Sequence, residues 1–128
     1  MGVAALDDQH ARLLATMTEI TNCIAARPDA PEVKSGLERL HSQVAFHFRD
    51  EERHMQTTNF PSLAEHQREH IEFMALIGER LALHSAGVER LNLASLSLIA
   101  DWLLSHMQEM DAEYARYLRV ESLAQEEI

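Results

Sequence analysis

The chain has 128 residues, 46% of them hydrophobic but only 5% aromatic, with three prolines, four glycines and a formal net charge of −10. That length suits one domain with a sizeable core, and abundant Leu, Ala, Glu, Met and Gln with few breakers point to an all-α protein. The negative charge argues against nucleic acid or an anionic membrane surface as partner, and no apolar run approaches the roughly 20 residues that insert across a bilayer.

Cys23 is the only cysteine, which excludes an intrachain disulfide and makes a reducing compartment the default. The opening Met-Gly-Val-Ala-Ala-Leu is too short and uncharged for a signal peptide. The expected location is therefore cytoplasmic, for a soluble protein or a domain cut from a larger one.

Segment one, expected as a helix over residues 8–27, starts behind a cap at Asp7 or Asp8 and repeats Leu13, Leu14, Met17, Ile20 and Ile24 at helical spacing. His10 stands on the same line. Arg27-Pro28-Asp29-Ala30-Pro31 ends it, because proline forbids continuation. Segment two, residues 32–56, carries Leu37, Leu40, Val44, Phe48 and Met55. His47 and Glu51 lie four apart on that stripe, about 40° around the axis from each other.

Segment three, residues 62–85, opens with Ser62 as expected cap and carries Leu63, Phe73, Met74, Ile77 and Leu81, with His66 and His70 on the same line and Gly87 as its stop. Segment four, residues 92–118, carries Leu96, Ile99, Leu103, Met110 and Tyr114. Its polar pair, His106 and Asp111, is spaced by five, about 140° apart on an ideal helix. Either a local π-type widening brings them together or Asp111 reaches in from the side. Leu103, Met107 and Met110 fall within the arc between them and are expected to line an apolar pocket for a small uncharged ligand. The tail after Leu118 ends in an acidic stretch, Gln125-Glu126-Glu127-Ile128, that is expected to fray.

Short connections make successive helices antiparallel neighbours, so the expected architecture is an up-down-up-down four-helix bundle, with its polar clusters in the core. Four clusters on four apolar stripes would bury imidazoles and carboxylates at great cost unless a cation compensated them. This ligand set suits non-haem iron, and a carboxylate can bridge two metals where an imidazole cannot. His41, His54 and His84 have no partner at ligand spacing and read as ordinary hydrogen-bonded residues. The methionines read as core filler. Glu52 is placed to orient a ligand histidine through its second nitrogen. Two Glu-x-x-His strings, Glu38 to His41 and Glu51 to His54, lie in one segment, whereas the ferritin-like arrangement needs them on different helices.

The chain resembles the hemerythrin family, in particular the bacterial hemerythrins. The matching strings are Asp7-Asp8-Gln9-His10, His47-Phe48-Arg49-Asp50-Glu51-Glu52 followed by Met55, Phe60-Pro61 ahead of His66-Gln67-Arg68-Glu69-His70, and Trp102-Leu103-Leu104-Ser105-His106 through Asp111. The resemblance implies a di-iron centre (Fe2+/Fe3+) with an oxo or hydroxo bridge. One iron would be held by His66, His70 and His106, the other by His10 and His47, with Glu51 and Asp111 bridging. The second iron would keep an open position for dioxygen. Family members commonly carry a longer arm before the Asp-x-Gln-His motif, with a Trp near the pocket. Few residues precede Asp7 here, so the expectation is either a more open pocket with faster autoxidation or a natural N-terminus that extends beyond this sequence.

Three functions share such a site. A non-enzymatic protein that binds dioxygen reversibly, for storage, delivery or scavenging, ranks first. An oxygen- or redox-sensing domain of a larger signalling protein ranks second. A peroxide or nitric oxide reductase ranks third, since it needs proton donors where Leu103, Met107 and Met110 are expected.

Overall fold

The computed structural model describes residues 4–126, and all regular structure within them is helical. Helix α1 runs Ala4–Ala26, α2 Pro31–Thr57, α3 Leu63–Ser85 and α4 Leu93–His106; a π-helical turn, Met107–Asp111, then joins α4 to α5, Ala112–Glu126. α2 packs on both α1 and α3, and α4 returns to pack on α1 and α3, closing an antiparallel bundle of four rods. No helix among the described residues is long and apolar enough to cross a membrane.

The ends of the rods follow local chemistry. α2 starts with Pro31 in its first turn, where the missing N–H costs nothing. It stops at a Schellman motif: Asn59 takes a positive φ of 57°, Phe60 N–H donates to Met55 O at 3.0 Å, and Asn59 N–H to Gln56 O at 3.3 Å. α3 stops the same way on Gly87, φ 72°, with Val88 N–H donating to Leu83 O at 3.1 Å. α4 begins in a capping box, in which Asn92 accepts from Ser95 N–H at 2.8 Å and Ser95 Oγ accepts from Asn92 N–H at 2.9 Å.

Three expectations about helix ends need correction. α1 begins at Ala4, not near residue 8, because buried Leu6 extends the apolar stripe by a turn; Asp7 lies inside the first turn. Ser62 precedes α3 without capping it, its hydroxyl donating instead to Glu113 Oε1 at 3.1 Å. The last helix does not end at Leu118, since a breaker-free run of Ala, Glu, Arg and Leu carries α5 to Glu126. The last two residues, Glu127 and Ile128, lie outside the described residues.

Two apolar clusters hold the bundle. The larger joins Leu13, Met17, Ile20 and Ile24 to Val33, Leu37, Leu40, Val44 and Phe48, with Phe73, Ile77, Leu96, Ile99 and Leu103 completing it. The smaller is Met55, Phe60 and Tyr114. Gly36 sits where α1 and α2 approach closely: an added Cβ would lie 2.8 Å from Cγ1 of buried Ile20. At Gly78 the nearest neighbour would be His41 Nε2, at an ordinary 3.9 Å.

The two glycines should therefore respond oppositely to alanine. Gly78→Ala should stabilise by about 0.5–1 kcal/mol through backbone entropy. Gly36→Ala should destabilise, because overpacking costs about 1–3 kcal/mol against the same gain. Urea midpoints of the two variants, compared with wild type, check both signs.

Candidate metal centre

Antiparallel packing sets the beginning of α1, the second half of α2, the beginning of α3 and the end of α4 at one level. Those stretches carry His10, the pair His47 and Glu51, the pair His66 and His70, and the pair His106 and Asp111. All are buried except His10, which is half-buried with its side chain 14% exposed. The π turn solves the spacing of the last pair. Its i→i+5 pattern brings residues five apart onto nearly one face, and His106 Nε2 lies 3.2 Å from Asp111 Oδ1.

The two carboxylates divide the seven residues into two halves. Glu51 aims Oε2 at His47 Nε2 (3.2 Å) and Oε1 at His70 Nε2 (3.2 Å) and His106 Nε2 (3.8 Å). Asp111 aims Oδ2 at His10 Nε2 (3.2 Å) and Oδ1 at His66 Nε2 (3.5 Å) and His106 Nε2. Each carboxylate thus gives one oxygen to a half containing His10 and His47, and one to a half containing His66, His70 and His106. Donor atoms of His10, His47, Glu51 and Asp111 all lie within 4.8 Å of one another, as do those of Glu51, His66, His106 and Asp111. His70 stands at the edge of the second group, its Nε2 3.2 Å from His106 Nε2.

Outer residues fix which imidazole nitrogen faces inward. His47 Nδ1 donates to Gln9 Oε1 at 2.7 Å, and Gln9 is held in that sense because its Nε2 donates to Asp50 Oδ2 at 2.9 Å. His70 Nδ1 donates to Glu52 Oε2 at 2.7 Å, and His106 Nδ1 to Glu69 Oε1 at 3.1 Å. With Nδ1 as the donor to these outer groups, each ring turns Nε2 toward the centre, and loss of any proton there gives the form that binds a metal. Phe48 stacks on His70 (3.8 Å, 6°) and Trp102 on His106 (5.1 Å, 12°), which locks both ring planes.

The centre is incomplete as protein alone. Both oxygens of Glu51, both of Asp111 and both ring nitrogens of His66 are buried with no aligned hydrogen-bond partner. The inward nitrogens of His70 and His106 face each other at 3.2 Å, and those of His10 and His47 at 2.9 Å. Lone pairs so placed repel unless a cation or proton sits between them. Burial alone would raise the Glu51 carboxyl, but His106, His47 and His70 pull it down to about 2; Asp111 is likewise held well below the carboxylate range by His10, His106 and His66. Burial alone would lower His106, yet Asp111, Glu51 and Glu69 push it up to about 10. Nine inward atoms, five imidazole nitrogens and four carboxylate oxygens, therefore fit two cations, with each carboxylate offered to both.

A cavity of about 230 Å³ opens over the two-histidine half, lined by His10, Met107, Asp111, Ala112, Ala115, Arg116 and Arg119. Of the three residues expected to line a ligand pocket, Met107 does so. Leu103 is buried in the large apolar cluster, and half-buried Met110 is not among the residues that line this cavity.

A family model for the hemerythrin HHE cation binding domain matches residues 1–118. The chain belongs to the hemerythrin family. It is 27% identical to a bacteriohemerythrin of Methylococcus capsulatus over 112 residues, covering 88% of this chain and 85% of that one. Over 109 residues it is 34% identical to a myohemerythrin of Riftia pachyptila, covering 85% and 79%. The crystal structure of a wild-type hemerythrin superposes with a TM-score of 0.83 at 26% identity, covering 88% and 85%.

In this hemerythrin-family chain all seven residues singled out from the sequence come together. The three set aside do not. His54 Nδ1 hydrogen-bonds the hydroxyl of Tyr114, His84 Nδ1 accepts from Leu91 N–H at 2.9 Å, and His41 lies near Gly78. Glu52 meets a ligand-set histidine as expected. The orienting roles of Gln9 and Glu69 were not foreseen. Each is next in sequence to a histidine of its own helix but serves one on the neighbouring helix.

The shifts at Glu51 and His106 set how the stability of the metal-free protein depends on pH. Glu51, lowered from 4.5 to about 2, contributes stability above 4.5 that is lost as pH falls toward 2; His106, raised from 6.5 to about 10, contributes stability below 6.5 that is lost as pH rises through 10. Urea midpoints in chelator should therefore peak between about 4.5 and 6.5. Metal binding should flatten the alkaline fall, because the cation takes the place of the proton on His106. Glu52→Ala should lower metal affinity about 10–100-fold by freeing His70, as read in a chelator competition.

Proposed function

We propose that this chain is a non-enzymatic dioxygen-binding protein, holding two iron ions bridged by Glu51 and Asp111 and an oxo or hydroxo group. The carrying observation is the unequal division of donors under shared carboxylates. His66, His70 and His106 serve one iron, and His10 and His47 serve the other. The half with fewer donors is the one under the cavity. When bound, the iron pair supplies the two electrons that dioxygen takes.

The chain's own residues do the rest. Glu52, Glu69 and Gln9 hold three imidazoles in the binding tautomer. Phe48 and Trp102 fix ring planes and keep water from the three-histidine half. Met107, Ala112 and Ala115 give the ligand cavity an apolar floor. Beyond His10 and Asp111 the remaining lining groups are arginines, which stay protonated and pass no proton at neutral pH. This favours reversible binding over reduction of peroxide or nitric oxide, which consumes protons.

A sensing role has one observation in its favour: α5 runs on to Glu126 with Val120 and Leu123 exposed. If oxygenation altered that helix, amide exchange across α5 would differ between the oxygenated and deoxygenated forms.

The deciding experiment is an absorption spectrum of the reduced, iron-loaded protein before and after air. A charge-transfer band that appears with oxygen and vanishes on deoxygenation is expected, at two irons per chain. Two zinc ions per chain with no such band would overturn the proposal. Glu51→Ala or Asp111→Ala should each lose at least one metal by elemental analysis.

A further inference from the structure

A cavity of about 440 Å³ lies along the α1–α2 groove, between Ala5, Asp8, Gln9 and Arg12 of α1 and Gln43 and Phe46 of α2. Phe46 stands 56% exposed at its edge. The hydrogen bonds Thr16–Gln43 and Gln9–Asp50 bracket that ring along the groove, so it lies level with the middle of the α1 face beside it. That face is a stripe of four exposed residues, Ala5, Asp8, Arg12 and Ala15, spaced three, four and three apart. Among the described residues neither Asp8 nor Arg12 has an ion pair or a hydrogen bond, whereas Arg39 pairs with Glu19 and Arg80 with Glu89.

The stripe is its own complement. Turned end for end it still runs small, charged, charged, small, and each charge then opposes one of the other sign. A second α1 laid antiparallel across a two-fold axis at the level of His10 sets Asp8 against Arg12 twice and Ala5 against Ala15 twice. The alanines let the two helices approach closely, and each Phe46 then packs on the other copy instead of facing water. We propose that this face of α1, with Phe46 of α2 beside it, is an interface between two copies of this chain. The net charge of −10 opposes association. Most of that charge lies beyond the roughly 8 Å of a Debye length at physiological salt, while the two facing pairs lie within it. The contact needs no metal, so it stands apart from the di-iron reading. It also covers Gln9, the residue that braces His47.

Sedimentation equilibrium at physiological salt tests both the face and its register. Wild type should show a monomer–dimer equilibrium that depends on concentration. Asp8→Arg and Arg12→Asp should each weaken it about tenfold or more, because each sets like charges across the axis twice. Phe46→Ala should weaken it as well, by removing the aromatic anchor. An equimolar mixture of Asp8→Arg and Arg12→Asp should dimerise like wild type, since every facing pair is again of opposite sign. The double variant Asp8→Arg with Arg12→Asp should do the same alone. A wild type that stays monomeric at its highest soluble concentration would overturn the proposal and leave the groove to a different protein. Charge variants that dimerise like wild type, or a mixture that fails to recover, would overturn it in favour of another contact face.

Discussion

Everything in this molecule is arranged around four carboxylate oxygens buried without hydrogen bonds. Glu51 and Asp111 each turn one oxygen to either side of the centre, where histidine ring edges face them without an aligned hydrogen bond. Charges taken from water cost several kcal/mol each after relaxation. A domain whose net stability is about 5–15 kcal/mol tolerates that only with strong packing nearby. The apolar clusters supply it, one built on Leu37, Leu40, Ile77 and Ile99, the other on Met55, Phe60 and Tyr114. A cation bound among these groups would offset the penalty, which would link metal affinity to folding stability.

The orienting hydrogen bonds form a relay around the bundle. Gln9 on α1 serves His47 on α2, Glu52 on α2 serves His70 on α3, and Glu69 on α3 serves His106 on α4. In each case the orienting residue is the chain neighbour of a site residue on its own helix. A neighbour points about 100° away from the site, toward the adjoining helix. One dipeptide per helix therefore supplies both a group for the centre and a brace for the next helix, which couples interhelix register to imidazole tautomer.

The bundle and the seven inward residues were legible because both depend on spacing within a single helix. Leu13, Met17, Ile20 and Ile24, or His66 and His70, declare their shared face through the helical period alone. The π turn was legible only as one of two solutions to a five-residue gap, since backbone widening leaves no composition signal of its own. Gln9 and Glu69 were opaque for a different reason: their partners lie 38 and 37 residues away, and no periodicity within one helix encodes a contact between helices. The lining of the cavity was opaque likewise. Arg116 falls near the end of the expected fourth helix and Arg119 in the tail beyond it, and both line the cavity because α5 continues out of the π turn.

The inequality of the two halves traces to α1. Each of the other helical rods gives two polar side chains about a turn apart, whereas α1 gives His10 alone. A second donor on that helix would need to sit at a neighbouring turn of the same face, but Leu6 and Leu13 are buried there as packing residues. The bundle needs those leucines, because α1 enters the centre with its first turns and must hold itself against α2. A packing demand at one helix end thus fixes how many donors reach the second half. The cavity lies beside that same helix end, over His10, with Ala112 and Ala115 leaving space where larger side chains would fill it. The opening over His10 is a consequence of where the core begins.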